Sequence, residues 1–301
     1  MDREVIIQKF EQLRMWKRTG ERAPHKPLLV LYAIGRLLRD EVQLIPYAEV
    51  DENLRKLLRE FGPRRLRDQP QEPFWRLQKD SVWKVTNACK IDKDLQRHVS
   101  RRRLLDHNVA GGFHEAIVEQ FQNDLRLVHE IVQSLLYAHF PYSIHEDILQ
   151  AVELEPPLQI FEPKRRDSKR RRRNPNFRAN ILKAYEYKCA VCGFDVTLRH
   201  QPVALEASHI RWHQAEGPDT EENGLALCSL HHKLFDRGAF TLSEQREILV
   251  SNDVDGSVGI EEWLTRFHGE TINLPQRQFY YPAMEFIGWH VKEVFKGNYR
   301  E

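Results

Sequence analysis

Four cysteines in 301 residues are too few for a disulfide scaffold, and no apolar run is long enough to span a bilayer. The opening "MDREVIIQKF" lacks the charged, apolar and small-residue layout of a signal peptide, so a reducing, cytoplasmic setting is expected. A net charge of +2 excludes a global polycation, which turns attention from the amount of charge to its placement. With 30% charged and 41% hydrophobic residues the composition is that of a soluble globular protein, long enough for two domains with separate cores.

What the chain does contain is concentrated. Three of the four cysteines fall between Cys189 and Cys228, leaving Cys89 alone. Cys189 and Cys192 form a CxxC pair, a spacing that lets two thiolates on a tight turn reach one tetrahedral ion. Cys228 and His231 repeat that spacing with imidazole as the fourth donor. A Cys₃His set leaves no open position, so it reads as a structural Zn²⁺ site that ties together the ends of the intervening loop.

Inside this staple lie "EASHI", "ENGLALC" and "HHKLFDRGAF". Together they resemble the HNH (ββα-metal) endonuclease family: a His ending a first strand, an Asn in the following loop, and a His near the start of the next helix. His209, Asn223 and His232 fill these positions. The resemblance implies that His209 is the general base toward water, that Asn223 fixes the loop orienting it, and that His232 holds a catalytic Mg²⁺ or Mn²⁺. His231 and His232 are adjacent but project about 100° apart on a helix, so one can serve zinc and the other the reaction centre. Many members carry Asp immediately before the first His as a second metal ligand. Here that residue is Ser208, and Glu206, two positions back on the same strand face, is the candidate in its place. His200, His213 and His268 match no position of the pattern and are expected to be surface or structural histidines.

The N-terminal half carries helical apolar faces: Ile6, Phe10, Leu13 and Trp16, then a nearly all-apolar helix from Pro27 to Leu38, then residues 50–61. "EPFWRLQKDSVWKV" alternates like two strands joined near Lys79–Asp80, and one long helix is expected after Gly111–Gly112, with Val118, Phe121, Leu125, Val128, Val132 and Leu135 on its face. The motifs "APHKPLLVLYAIGRL", "LREFGP", "PFWRLQKDSVWKV" and "NVAGGF", in this order, resemble the sulfur-binding domain of phosphorothioation-dependent HNH restriction endonucleases. A phosphorothioate exchanges one non-bridging phosphate oxygen for sulfur, which is larger, softer and more weakly hydrated. An apolar pocket beside a cation accepts sulfur cheaply, yet strips water from an ordinary phosphate oxygen without full repayment. The resemblance points to "PHKP" and "EPFWR" as pocket walls. It implies Pro73 and Arg76 at the sulfur, His25 and Lys26 beside it, and Arg101 on the DNA backbone, with Pro141 and Tyr142 an alternative wall. For Trp75, plain core packing is the expectation.

Between the halves, Lys164 to Arg173 places eight basic residues against one acid. Such a run is either a solvated spacer or, beside a nuclease module, a phosphate-contacting segment favoured by counterion release. The expected class is therefore α+β: a mainly helical sulfur-binding domain with a small sheet over residues 1–160, a basic linker over 161–176, and a zinc-braced ββα-metal nuclease over 177–301. "RFHGETINLP" and "MEFIGWHVKEVF" resemble the tail of this HNH subgroup and are read as packing. The expected partner is duplex DNA carrying phosphorothioate linkages. Oligomeric state stays open: a double-strand cut by a one-metal HNH module usually needs two active sites, which a homodimer on DNA would supply. Two competing readings are an HNH endonuclease that reads another mark, such as methylcytosine, or none, and a zinc-stabilised DNA-binding regulator without hydrolysis.

Overall fold

A computed structural model provides the fold, and it describes residues 1–15, 21–40, 42–65, 68–88, 91, 99–154 and 174–300. Trp16, Cys89 and the basic run of residues 164–173 lie outside the described residues. The described residues form two compact units, one within 1–154 and one within 174–300, with Glu21 and Arg22 counted in the second. The α+β class expected from the sequence stands.

In the first unit, Asp2 accepts the Glu4 amide and starts α1 (Arg3–Glu11), which buries Ile6, Ile7 and Phe10. The nearly all-apolar stretch forms α2 (His25–Asp40), with Leu28, Leu29, Leu31 and Ile34 fully buried. Then come β1 (Ile45–Pro46) and α3 (Tyr47–Phe61). The pair of strands read into "EPFWRLQKDSVWKV" is corrected by the structure. Residues 71–76 form α4 (Gln71–Arg76), a 3₁₀ turn covers Leu77–Asp80, and only β2 (Trp83–Val85) is extended. Pro73 sits in the first turn of α4, where it costs no helical hydrogen bond, and Phe74 and Leu77, three apart, both turn into the core. Helical spacing won over the apparent alternation because the buried residues sit on one side of a turn.

After α5 (Arg101–Asp106), β3 (Ala110–Phe113) becomes the centre of a three-stranded antiparallel sheet in the order β1-β3-β2. A Cβ at Gly112 would lie 1.7 Å from the Gln43 carbonyl oxygen, so no larger residue fits this strand. Trp83 pairs with Phe113 across it, inside an edge-to-face aromatic cluster that also includes Phe10, Phe74 and Phe121. The single long helix expected next is two, α6 (Glu115–Asn123) and α7 (Leu125–His139). Asp124 leaves helical geometry at φ −135°, and its carboxylate accepts the Leu127 amide at 3.0 Å as the cap of α7. A short helix, α8 (His145–Ala151), is the last element among the described residues of this unit.

The second unit opens with α9 (Phe177–Ala184), which stops where Glu186 and Tyr187 adopt left-handed φ. A small hairpin, β4 (Thr197–Leu198) and β5 (Gln201–Pro202), precedes the central ββα element: β6 (Leu205–His209), β7 (Gly224–Cys228) and α10 (Ser229–Asp236). β6 and β7 are antiparallel, with Glu206 opposite Leu227 and His209 opposite Gly224. A Cβ at Gly224 would lie 2.1 Å from Ile181 Cδ1, so glycine here lets α9 lie against the hairpin. The hairpin β8 (Phe240–Leu242) and β9 (Ile248–Val250), the short α11 (Ile260–Trp263) and α12 (Met284–Glu293) complete it. Phe286 and Ile287 of α12 join the same core as Phe235 and Phe240, in accord with a packing role for the tail.

Candidate functional site

Four donors converge at one end of the ββα element. The ligand atoms of Cys189, Cys192, Cys228 and His231 all lie within 4.8 Å of one another. Cys228 ends β7 and His231 lies in the first turn of α10, so the CxxH spacing is realised across a strand-to-helix corner. His231 is fully buried, and its Nε2–H donates to the Trp263 carbonyl at 2.8 Å. That bond fixes the tautomer and turns Nδ1 toward the sulfurs, 3.1 Å from Cys228 Sγ and 3.7 Å from Cys189 Sγ. Burial pulls the imidazole pKa down, but the three cysteines more than offset it and push it up to about 12. Three sulfurs and one nitrogen converging at a buried corner fit a tetrahedral Zn²⁺, which would take the place of the Nδ1 proton.

His232 leaves the same helix in the other direction. Its Nδ1 is 2.6 Å from Glu206 Oε2, and its Nε2 is 3.1 Å from Asp236 Oδ2. Carboxylates on both ring nitrogens hold the ring as an imidazolium. Burial opposes the charge, but Asp236 and Glu206 together raise the pKa to about 10. Glu206 also accepts from Ser229 Oγ at 2.8 Å, and hydrogen bonding from His232 chiefly brings it down to about 2. Ser208, on the same strand face, is fully buried and its Oγ finds no hydrogen-bond partner among the described residues. A divalent cation held by Glu206 and His232 would take the place of the Nδ1 proton of this pair and leave Nε2–H on Asp236. Asp236 was missed in the sequence, although its i,i+4 spacing from His232 in "HKLFD" was a readable signal.

His209 ends β6 with its ring stacked on Phe177, centroids 4.0 Å apart and planes 13° apart. Its Nε2 is 2.8 Å from Asp219 Oδ1, and the His213 ring lies 5.9 Å away. His213 is therefore a neighbour of this site and not simply a surface residue. Asn223 is fully buried. Its Oδ1 accepts the Arg211 amide at 2.8 Å, and its Nδ2 donates to the carbonyls of Arg211 and Pro218 at 3.0 and 2.9 Å. Three bonds from one amide clamp the loop that follows His209. His268 accepts the Val250 amide, a structural contact, and His200 is exposed in a turn.

In the first unit the five positions implied at the modified phosphate differ in burial and in their partners. Lys26 is buried, ion-paired to Asp80 and donating to the Arg14 carbonyl at 2.8 Å. Burial and the nearby Arg76 and Arg14 guanidinium groups lower its pKa, against the pull of Asp80. Lys26, implied beside the sulfur, thus has its charge paired with Asp80 inside the fold. Pro73 is buried in α4, His25 is half-buried at the start of α2, and Arg76 is exposed and paired with Glu72 at 2.5 Å. Arg101 is ion-paired with the buried carboxylate of Asp51, which also binds Arg55 and Tyr47 Oη. Tyr142 is exposed and stacked against Tyr137.

Residues 3–157 match the family model described as the ScoMcrA-like DNA sulfur-binding domain, which is more than half of the chain. The chain belongs to that family. Residues 189–243 match the HNH endonuclease family model, which spans all four cysteine–histidine donors, His209, Asn223 and His232. Solved structures resemble parts of the chain. The sulfur-binding domain of ScoMcrA complexed with phosphorothioated DNA is 21% identical with a TM-score of 0.43, covering 48% of this chain and 96% of that one. The corresponding SprMcrA domain complexed with phosphorothioated DNA is 20% identical at a TM-score of 0.45, covering 51% and 95%. The modification-dependent TagI restriction endonuclease is 23% identical at a TM-score of 0.29, covering 39% and 37%. No curated protein matches. This member of the sulfur-binding family thus carries an HNH endonuclease domain on the same chain, and none of its described helices is long and apolar enough to cross a membrane.

Proposed function

We propose that the protein is a restriction endonuclease that binds phosphorothioated duplex DNA through its first unit and hydrolyses phosphodiester bonds nearby through its second. The observation that carries this reading is the pairing, in one chain, of a DNA sulfur-binding family match with an HNH match. His209 takes the proton of the attacking water. Glu206 and His232, with Ser208 on the same strand face as Glu206, would hold a divalent ion, Mg²⁺ or Mn²⁺, which would supply neutralisation of negative charge at the scissile phosphate. Asn223 keeps the loop after His209 in place. Cys189, Cys192, Cys228 and His231 hold Zn²⁺ as a brace and take no part in chemistry. On the recognition side, Pro73 and Arg76 line the sulfur with His25 nearby, and Arg101, presented by Asp51, meets the adjacent phosphates. Two copies act together on a duplex to cut both strands.

The test is cleavage of matched duplexes that differ only by one sulfur atom, with His209→Ala alongside. Cutting confined to the sulfur-bearing duplex, and abolished in the variant, supports the reading. Equal cutting of both duplexes leaves a nuclease that reads another mark or none, and binding without cutting under any divalent metal leaves a regulator.

A further inference from the structure

Asp219 lies ten positions beyond His209 in the loop that Asn223 clamps. Its side chain is 7% exposed, and both its oxygens are engaged: Oδ1 with His209 Nε2 at 2.8 Å, Oδ2 with the Asn174 backbone amide at 2.6 Å. Burial disfavours its charge, but the Asn174 amide and His209 together hold its pKa below the ordinary value, so it is ionised at neutral pH. An ionised carboxylate has no proton to donate. The hydrogen in the His209–Asp219 bond therefore sits on Nε2, which in a neutral imidazole leaves the lone pair on Nδ1. Phe177, stacked on the ring, sets its plane. His213 is the other titratable side chain acting on this carboxylate.

Resting on the reading of His209 as general base, we propose that Asp219 is the positioning residue of that base. It holds His209 in the tautomer that accepts the water proton at Nδ1, and it stabilises the imidazolium so formed. In the step, a water O–H bond breaks and its proton moves to Nδ1 while the water oxygen bonds to phosphorus. The P–O3′ bond breaks, the departing oxygen takes a proton from solvent, and the imidazolium returns its own proton to solvent.

The experiment uses the full chain in two measurements. Nitrogen-15 correlation spectra of histidine-labelled protein, with the His209 signals assigned by their loss in His209→Gln, report the tautomer directly. The proposal requires Nε2–H in the wild type, and an Nδ1–H tautomer overturns it without any variant. Single-turnover cleavage of a phosphorothioated duplex is then compared across Asp219→Asn and Asp219→Glu at equal zinc content. Asp219→Asn is expected to slow cutting by about 100-fold or more, with substantial recovery in Asp219→Glu. A dead His209→Ala beside a fully active Asp219→Asn sinks this proposal alone, whereas a His209→Ala that cuts like wild type sinks the base assignment on which it rests.

Discussion

Glu206 and His232 stand 26 positions apart in the sequence and meet at 2.6 Å, Oε2 to Nδ1. One ends up on the middle of a strand and the other on the first turns of the following helix, so their meeting is a property of the ββα packing. Asp236 completes the arrangement from the far side of the ring. A carboxylate on the nitrogen opposite a ligating one fixes the tautomer and raises ligand basicity. Asp236→Ala is therefore expected to weaken Mn²⁺ binding by about 10–100-fold while leaving zinc content unchanged, as titration calorimetry and metal analysis would report. Unchanged Mn²⁺ affinity would mean that His232 needs no such support.

Cys228→Ala opens the Cys₃His cage at a buried corner between strand and helix. Binding of a structural zinc is worth about 10–16 kcal/mol at neutral pH, which exceeds the stability of an ordinary domain. The second unit is expected to lose its zinc and its cooperative melting together, while the thermal transition of the first unit persists. Calorimetry of the full chain with and without a chelator reads both.

Asn223→Ala removes three hydrogen bonds from a fully buried position. At about 1 kcal/mol for each bond, and more for a backbone group left unpaired, a loss of about 3–5 kcal/mol is expected in denaturant unfolding of the second unit. A loss under about 1 kcal/mol would show that the loop holds itself.

Lys26 and Arg101 should respond in opposite ways. Lys26→Ala leaves the carboxylate of Asp80 buried without its cation, which costs about 3–5 kcal/mol of stability, with no change in the salt dependence of DNA binding. Arg101→Ala should lower the slope of log affinity against log salt by about one, equally for sulfur-bearing and ordinary duplexes, because a phosphate contact carries no information about the sulfur. Fluorescence anisotropy over a salt series separates the two.

His290 is wholly buried, donating from Nε2 to the Phe235 carbonyl at 3.1 Å and accepting from Thr241 Oγ1 at Nδ1, 2.9 Å away. Burial drives its pKa down from 6.5 to about 3. Between those values the unfolded chain binds a proton that the folded one refuses, so its contribution to stability is complete above pH 6.5 and declines as pH falls toward 3. The slope is about 1.4 kcal/mol per pH unit for a single group. His290→Gln should flatten the melting-temperature profile over that range relative to wild type. Parallel profiles would rule out His290 as the titrating group.

Much of the fold was legible in the sequence wherever the signal is short in range. The Cys189–Cys192 and Cys228–His231 spacings announce a four-donor cage because each pair is held by one turn of backbone, and the structure brings all four together. The divergence of His231 from His232 follows from helical geometry alone. The nearly all-apolar α2 announces its own burial. Where local signals compete, the reading slipped: alternation around Phe74 and Trp83 mimicked strands, and the helical apolar face ran on past Asp124, whose capping carboxylate ends one helix and starts another.

The tertiary structure alone decided which partner each charge meets. Lys26 and Arg101 are both cations in the sequence, yet one is sealed against Asp80 and the other is presented by Asp51. In the same way Asp219 is an ordinary loop carboxylate until the clamp of Asn223 and the amide of Asn174 bring it to His209. Spacing along a chain specifies geometry only across a turn or two of backbone. The partner of a charge is chosen by packing between segments far apart in sequence, and no local pattern encodes that choice.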